Sequence, residues 1–166
     1  MSAPVTTRPA EPGDIGAISA LHATTLGPGR YARSAYRVRE GTPGVSRFCR
    51  VGLVGARMVA ALRMTEVTIG GTARALLLGP LAVDPEFAGE GHGRRLVSEA
   101  LEAAKSAGIA LVLLVGDEPY YGRFGFKPLA PGQVQLPGPV DPQRWLAVEL
   151  VPGALAAARG MVEAAG

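Results

Sequence analysis

A glycine-spaced turn between an apolar strand and an amphipathic helix constrains the fold of this chain more than any other feature. Residues 76–83 read Leu-Leu-Leu-Gly-Pro-Leu-Ala-Val and predict a strand, whereas residues 89–93 read Gly-Glu-Gly-His-Gly and predict a turn. Apolar side chains then recur on one face of a helix, at Leu96, Val97, Ala100, Leu101 and Ala104. Gly108 follows as the expected C-cap.

The turn has the properties of an anion site. The first N–H groups of a helix have no intrahelical partner, and the helix dipole adds partial positive charge there. Glycines at 89, 91 and 93 leave those amides accessible. Arg94 and Arg95 are cations at the N-terminus of the helix, where the dipole makes each unfavourable by about 0.3–1 kcal/mol. A phosphate bound beside them would explain why two arginines stand there. Glu90 argues against a phosphate, and a tight turn with solvated arginines is the alternative.

The strands around this segment predict a sheet with a gap. Runs at 48–54, 58–67 and 72–83, joined by turns at 55–57 and 70–71, predict an antiparallel meander. The continuous apolar run 109–115 predicts a buried parallel strand. Because Gly79-Pro80 interrupts the third strand, we expect that strand to bend away from its neighbour. An extended ligand arm could then pair with the free backbone of Leu81, Ala82 and Val83.

The two ends of the chain are less constrained. We expect a first strand at 4–8, a helix starting at Asp14, a last clear strand at 145–151 and a frayed helix at 154–165. The oligomeric state is open, because a final strand with an exposed edge could pair with a second copy in a homodimer. Arg30, Arg33 and Arg37 are spaced to share a helical face, which is either solvated or a pocket wall that prefers acidic groups.

Composition limits the class of protein. A chain of 166 residues suits one domain, 1–166, and a net charge of +3 with a pI of about 9.4 favours an anionic ligand without requiring nucleic acid. Cys49 is the only cysteine, so no intrachain disulfide forms, as in a reducing cytosol. We find no signal peptide, no apolar run that could span a membrane and no CxxC or HExxH metal motif. A cytoplasmic protein without a metal is expected.

An ordered set of motifs resembles the GCN5-related N-acetyltransferase (GNAT) superfamily. The motifs are the segment from Gly79-Pro80 to Asp84-Pro85, the glycine turn, and Tyr121-xxx-Gly125-Phe126. The ending at 145–155 resembles a bacterial subgroup of predicted N-acetyltransferases. The resemblance implies an α+β fold, with a mostly antiparallel central sheet, a splayed parallel strand pair and flanking helices.

The same resemblance implies acetyl-CoA as the acetyl donor and an amine, of a small molecule or a peptide, as the acceptor. The pantetheine arm would pair with Leu81, Ala82 and Val83. The pyrophosphate would bind the turn, which comprises Ala88, Gly89, Glu90, Gly91, His92, Gly93 and Arg94. Ala88 departs from the Gln or Arg that the family motif carries at this position.

Tyr121 matches the tyrosine that the family commonly uses as general acid. The chemistry agrees with this role, because a phenol with a pKa near 10 can protonate a thiolate whose thiol has a pKa near 8.5. The amine must lose a proton to attack, and Glu66, Asp117 and Glu118 remain open as the base. Tyr120 is interpreted as a packing or pocket residue.

Three other functions fit parts of the sequence. A dinucleotide-binding oxidoreductase is disfavoured, because its fingerprint requires glycine where Arg94 stands and a turn directly after the strand. A non-catalytic acyl-CoA-binding or regulatory module on the same fold would bind acetyl-CoA and acetylate nothing. A transferase of a longer acyl group would differ in the depth of its pocket.

Overall fold

The computed structural model describes residues 4–26, 38–39, 42 and 46–165. The arginines at 30, 33 and 37 lie outside these residues. Three helices are described: α1 (Ile15–Leu26), α2 (His92–Ser106) and α3 (Glu118–Tyr121). Nine strands are described: β1 (Thr6–Pro9), β2 (Arg50–Val54), β3 (Arg57–Ile69), β4 (Ala73–Val83), β5 (Leu111–Val115), β6 (Lys127–Pro128), β7 (Val134–Gln135), β8 (Trp145–Glu149) and β9 (Gly160–Ala164).

The strands form one mixed sheet that is mostly antiparallel. Its order is β1-β2-β3-β4-β5-β8-β6, with β9 beside β3 and β7 beside β9. The two predicted hairpins are present, and Gly55, Gly70 and Gly71 adopt positive φ values of 58°, 61° and 81° at their turns. Strands β4 and β5 pair in parallel, as predicted from the apolar run at 109–115.

The predicted separation of β4 from β5 begins at Gly79-Pro80. Parallel pairing runs from Leu76 with Val112 to Leu78 with Leu114, whereas β4 continues five residues further to Val83. On its other side, β4 pairs with β3 through Leu78 and Leu81, so Gly79 and Pro80 together lie opposite the single residue Arg63. Beyond this bulge β4 continues without pairing to β5, which is the expected gap.

Three apolar clusters cover the two faces of the sheet, and two of them hold helices. The predicted face of α2 packs on one side of the sheet, where its buried residues Leu96, Val97, Ala100 and Ala104 meet β3, β4 and β5. On the other side, Ile18 and Leu21 of α1 pack against β2, β3 and β4. Burial of each large side chain contributes roughly 1.5–3 kcal/mol, so the two clusters fix both helices on the sheet.

The C-terminal segment differs from the prediction. Residues 154–165 do not form a helix: a series of turns leads into β9, which pairs with Val67, Thr68 and Ile69 of β3. The preceding strand β2 pairs with β3 only up to Leu62, so the far end of β3 has free backbone groups that β9 satisfies. Tertiary pairing outweighs the helix propensity of the alanines.

Strand β8 is present where the strand at 145–151 is predicted, although β9 follows it. It lies between β5 and β6 and pairs with both. Its Trp145 is buried, and the indole N–H donates to the carbonyl of Val134 at 2.8 Å. A homodimer would therefore need another surface.

Candidate functional site

The N-terminus of α2 opens onto a cleft. Gly91 is the N-cap of the helix in the left-handed conformation, with φ of +85°, and Gly89 has φ of +79°. A Cβ at either position would meet no atom within 4 Å, so the space over the first amides is open. The cleft has a volume of about 520 Å³ and is lined by Gly89, Glu90, Gly91, Arg94, Arg95 and Ser98. These residues include most of the predicted phosphate site.

The two arginines of the first turn differ in their contacts. Arg95 donates to the carbonyl of Val5 at 2.8 Å and to Glu99 at 3.3 Å, which directs it toward β1. Arg94 is exposed and makes no ion pair within the described part of the chain. The carboxylate of Glu90 lies 3.5 Å from Nε2 of His92. Arg94 is therefore the cation best placed for an anion in the cleft.

The loop between β4 and the turn is held by Arg57. Its guanidinium donates to Asp84 at 2.9 Å and to Glu86 at 3.2 Å, and lies 5.4 Å from the ring centre of Phe87. The backbone N–H of Glu86 and the guanidinium of Arg57 both lower the pKa of Asp84. Asp84 is thus a turn residue, and its contacts with Arg57 hold the loop that leads to the glycine turn.

Gly93 has a packing role that the sequence did not reveal. A Cβ built on it would lie 3.2 Å from the hydroxyl oxygen of Tyr120, 3.4 Å from Cδ2 of Leu81 and 3.4 Å from Cγ2 of Val83. Glycine at this position therefore lets α2 approach β4 closely. The structure brings the glycine turn and the end of β4 together, as the predicted site requires.

Two tyrosines of α3 flank the gap between β4 and β5. The hydroxyl of Tyr120 lies beside α2 and β4, and its ring meets the ring of Tyr121 edge to face at 4.9 Å. Tyr121 lies on the β5 side, where a Cβ on Gly116 would approach its ring to 2.6 Å. Burial, together with smaller contributions from Tyr120 and Asp117, raises the pKa of Tyr121 to about 12. The phenol therefore keeps its proton throughout the physiological range.

Tyr120 packs beside Gly93, in agreement with its interpretation as a packing or pocket residue, and Arg123 lies against its ring. The guanidinium of Arg123 lies 4.8 Å from the ring centre of Tyr120. Burial raises the pKa of Tyr120, and the charges of Arg123 and Arg94 oppose that rise. The adjacency of two tyrosines was visible in the sequence, but their division between the two sides of the gap was not.

The three candidate bases lie in different surroundings. Glu66 lies 3.7 Å from Arg47 in an exposed ion pair. Asp117 is the N-cap of α3, and Glu118 is exposed in its first turn. Of the three, Asp117 lies near enough to Tyr121 to influence its pKa.

Within residues 4–26, 38–39, 42 and 46–165, no three His, Cys, Asp or Glu side chains are grouped so that they could hold a metal ion. The helices in that same part of the chain are all too short or too polar to cross a bilayer.

Comparison with known proteins agrees with this fold. Residues 49–128 match the family model of the acetyltransferase (GNAT) domain. The uncharacterized N-acetyltransferase YhbS of Escherichia coli K12 is 35% identical over 86 residues, which are 52% of this chain and 52% of YhbS. The uncharacterized N-acetyltransferase YjhQ of the same strain is 41% identical over 63 residues, 38% of this chain and 34% of YjhQ. These matches thus span about half or less of the length of the curated relatives.

Solved structures extend the likeness to the rest of the chain. The crystal structure of YhbS from E. coli in complex with CoA has a TM-score of 0.81 and 25% identity, covering 99% of this chain and 92% of that one. A GNAT family acetyltransferase from Brucella melitensis in complex with acetyl-CoA has a TM-score of 0.64 and 26% identity, covering 89% of this chain and 97% of that one.

Residues 49–128 thus match the GNAT acetyltransferase domain, and the chain has the fold of the GNAT superfamily, as the order of its motifs predicted. Within that superfamily it is similar to bacterial N-acetyltransferases of the YhbS and YjhQ kind.

Proposed function

We propose that this chain is an N-acetyltransferase that moves the acetyl group of acetyl-CoA to an amine, acting as a single GNAT domain over residues 1–166. The observation that carries the proposal is the gap beyond Leu78, where β4 continues without β5 and leads to the open N-terminus of α2. A strand edge followed by a helix N-terminus suits a molecule with an amide-containing arm and a diphosphate.

The donor would bind by its phosphates and by its arm. Amides of the turn at Gly91, His92 and Gly93 would hold the pyrophosphate, and Arg94 would add a cation. The pantetheine amides would pair with the backbone of Leu81, Ala82 and Val83 as an added strand. CoA and acetyl-CoA in the two related crystal structures support this choice of donor.

Transfer would proceed by direct attack. The amine nitrogen attacks the thioester carbonyl, the C–N bond forms, the C–S bond breaks, and sulfur leaves with the bonding electrons. The nitrogen loses one proton and the sulfur gains one. With a pKa of about 12, Tyr121 is a weaker acid than a thiol by more than three orders of magnitude, so it acts chiefly by donating a hydrogen bond to the departing sulfur.

The proposal is tested by incubating the purified chain with acetyl-CoA and a panel of small amines, amino acids and peptides. Mass spectrometry should detect a product heavier by one acetyl group, with stoichiometric release of CoA. Binding of acetyl-CoA is measured separately by calorimetry. Absence of binding would overturn the proposed donor, and binding without transfer to any amine would favour the second candidate.

That second candidate is a non-catalytic acyl-CoA-binding or regulatory module. Ala88 favours it, because a small apolar side chain replaces the Gln or Arg of the motif at the phosphate turn. The high pKa of Tyr121 also favours it, since a weak acid assists the leaving thiolate less. Such a module would bind acetyl-CoA with its affinity unaffected by loss of the Tyr121 hydroxyl.

A further inference from the structure

An arginine in the 3₁₀ turn Gly122–Phe124, directly after α3, lies on the ring of a tyrosine in the site. The guanidinium carbon of Arg123 is 4.8 Å from the ring centre of Tyr120, within the range of a cation–π contact. Among the described residues no carboxylate forms an ion pair with Arg123, and this includes Asp117 and Glu118 of the same segment. The ring thus holds a positive charge that the described part of the chain leaves unneutralised.

The far end of the Tyr120 side chain reaches the first turn of α2. Its hydroxyl oxygen lies 3.2 Å from the position of a Cβ on Gly93, and that position lies 3.4 Å from the side chains of both Leu81 and Val83. One tyrosine ring therefore joins Arg123 to the place where the end of β4 meets the glycine turn.

A second arginine lines the cleft beside the same turn. Arg94 borders that cleft together with Ser98, whereas the Cβ position of Gly93 faces β4 and Tyr120. Burial raises the pKa of Tyr120, and the charges of Arg123 and Arg94 both oppose that rise, so both guanidinium groups lie near this phenol. The turn thus has one cation on the side of the cleft and another on the side of β4.

The chemical order of the donor matches these two sides. In CoA the pantetheine arm carries a first phosphate, which is joined to a second phosphate on adenosine, and the ribose carries a separate 3′-phosphate. Because the arm would pair with Leu81, Ala82 and Val83, its own phosphate would reach the turn from the side of β4. The phosphate on adenosine would lie toward the cleft and Arg94.

We propose that Arg123, positioned by the ring of Tyr120, binds the phosphate that is attached to the pantetheine arm. This inference rests on the proposed use of acetyl-CoA as donor. A guanidinium group forms paired, charge-assisted hydrogen bonds with a phosphate. Amides at the N-terminus of α2 would hold one side of that phosphate and leave other oxygens for Arg123. The site would then recognise the phosphopantetheine part of the donor without any contact to adenosine.

The experiment measures three ligands by calorimetric competition against acetyl-CoA: 4′-phosphopantetheine, dephospho-CoA and CoA. Arg123→Gln should lower the affinity for all three by a similar factor of about tenfold, since all three carry the phosphate on the arm. The loss should shrink in high salt, because salt screens exposed charges. Arg94→Gln should weaken dephospho-CoA and CoA more than 4′-phosphopantetheine.

Lys127→Gln is the matched control for the loss of one positive charge. Lys127 is exposed on β6, which β8 separates from β5 in the sheet. Its substitution should change each affinity by less than about twofold, as expected for a distant, screened charge. Equal effects of Lys127→Gln and Arg123→Gln would overturn the inference, and so would a loss in Arg123→Gln that salt does not alter.

The three ligands also separate the phosphates. A loss in Arg123→Gln for CoA alone would assign Arg123 to the 3′-phosphate. A loss for CoA and dephospho-CoA without one for 4′-phosphopantetheine would assign it to the phosphate on adenosine. Either result would overturn the inference and leave acetyl-CoA as the donor, whereas failure of the unsubstituted chain to bind acetyl-CoA would overturn the donor and the inference together.

The role of the ring is tested by two substitutions of Tyr120. Tyr120→Leu removes the ring and should lower the affinity for 4′-phosphopantetheine about as much as Arg123→Gln, with little further loss when the two are combined. Tyr120→Phe restores the ring and should recover most of that affinity. Thermal unfolding checks that each variant is folded. Losses that simply add in the double variant would overturn the positioning of Arg123 by Tyr120, and this comparison of Arg123→Gln with Tyr120→Phe stands even if Tyr120→Leu is unstable, because Tyr120→Phe must then bind more tightly than Arg123→Gln.

Discussion

The hydroxyl oxygen of Tyr120 lies against Gly93, only 3.2 Å from the place that a Cβ there would occupy. This contact joins α3 to the first turn of α2 and closes one side of the gap beside β4. Helix α2 and the tyrosine pair therefore pack together, and a small change at Gly93 should affect both.

Gly93→Ala should weaken acetyl-CoA binding about threefold to tenfold with little change in stability. Alanine favours a helix by roughly 0.5–1 kcal/mol, which offsets the cost of pushing the Tyr120 hydroxyl aside. Calorimetry and thermal unfolding measure the two effects. Tyr120→Phe in the Gly93→Ala background removes the displaced oxygen and should restore most of the affinity; no restoration would mean that the backbone of α2 has moved instead.

Gly91→Glu should lower the affinity for CoA by about two orders of magnitude or more. The substitution places a carboxylate over the amides that would hold the pyrophosphate. Gly91→Gln is the matched control, because it shares the backbone strain of φ +85° and lacks the charge. Similar affinities in the two variants would show that the phosphates bind elsewhere.

Glu90→Gln should raise the affinity for CoA about twofold to threefold at low salt. Glu90 adds negative charge to the cleft that Arg94 lines. Removing one charge several ångströms from a phosphate changes the binding free energy by about 0.5 kcal/mol near water, and less in high salt. Calorimetry at two ionic strengths measures the rise in affinity and its reduction by salt. A fall in affinity would indicate that Glu90 orders the turn through His92.

Tyr121→Phe should lower kcat by about tenfold to a hundredfold while the KM for acetyl-CoA stays unchanged, because the hydroxyl acts on the leaving sulfur. In a spectroscopic titration of the tyrosines, the variant should also lose the step that occurs at the highest pH. Because the folded pKa is raised to about 12, the stabilisation from the neutral phenol is complete below pH 10 and is lost as the pH rises toward 12. An unchanged kcat would remove the assigned role.

Much of this site was predictable because local rules determine it. The strand, turn and helix from Leu76 to Ser106 follow from periodicity and glycine spacing, and the bulge follows from the missing N–H of Pro80. Pairings between residues distant in the sequence were not predictable. The helix predicted at 154–165 was wrong because β9 completes the edge of β3, which no local pattern encodes. The position of Arg39 beside Gly79 is likewise a contact between residues distant in the sequence.

Glu99 connects α2 to the first two strands. Its carboxylate accepts from Thr7 at 2.9 Å, Arg50 at 2.9 Å and Arg95 at 3.3 Å. Burial raises the pKa of Glu99, but the Thr7 hydroxyl and the two guanidinium groups lower it by more in total. A carboxylate with a lowered folded pKa stabilises the protein above its unfolded pKa, and this contribution is lost as the pH falls through the folded value.

Glu99→Gln should therefore destabilise the protein by about 1–2 kcal/mol at pH 7 and by less near pH 3. Urea unfolding at the two pH values measures this difference. Glu102→Gln, at an exposed position of the same helix, is the control and should change stability little at either pH. A destabilisation by Glu99→Gln that is equal at pH 7 and pH 3 would contradict the ionic role.

The turn at Gly70-Gly71 packs against the start of β9 through Gly70 and not through Gly71. A Cβ on Gly70 would lie 2.2 Å from the carbonyl oxygen of Arg159, whereas one on Gly71 would meet nothing within 4 Å. Both residues have positive φ, so alanine costs roughly 1–2 kcal/mol of backbone strain at either position. Gly70→Ala must in addition displace the start of β9.

We therefore expect Gly70→Ala to lower the free energy of unfolding by about 3 kcal/mol or more, and Gly71→Ala by about 1–2 kcal/mol. Hydrogen exchange should show faster exchange of the Gly70 amide, which donates to Met161 at 2.9 Å, and of the paired amides in β9 only in Gly70→Ala. Equal destabilisation by the two substitutions would mean that β9 can be displaced without loss of free energy of unfolding. Its pairing with β3 would then contribute little to stability.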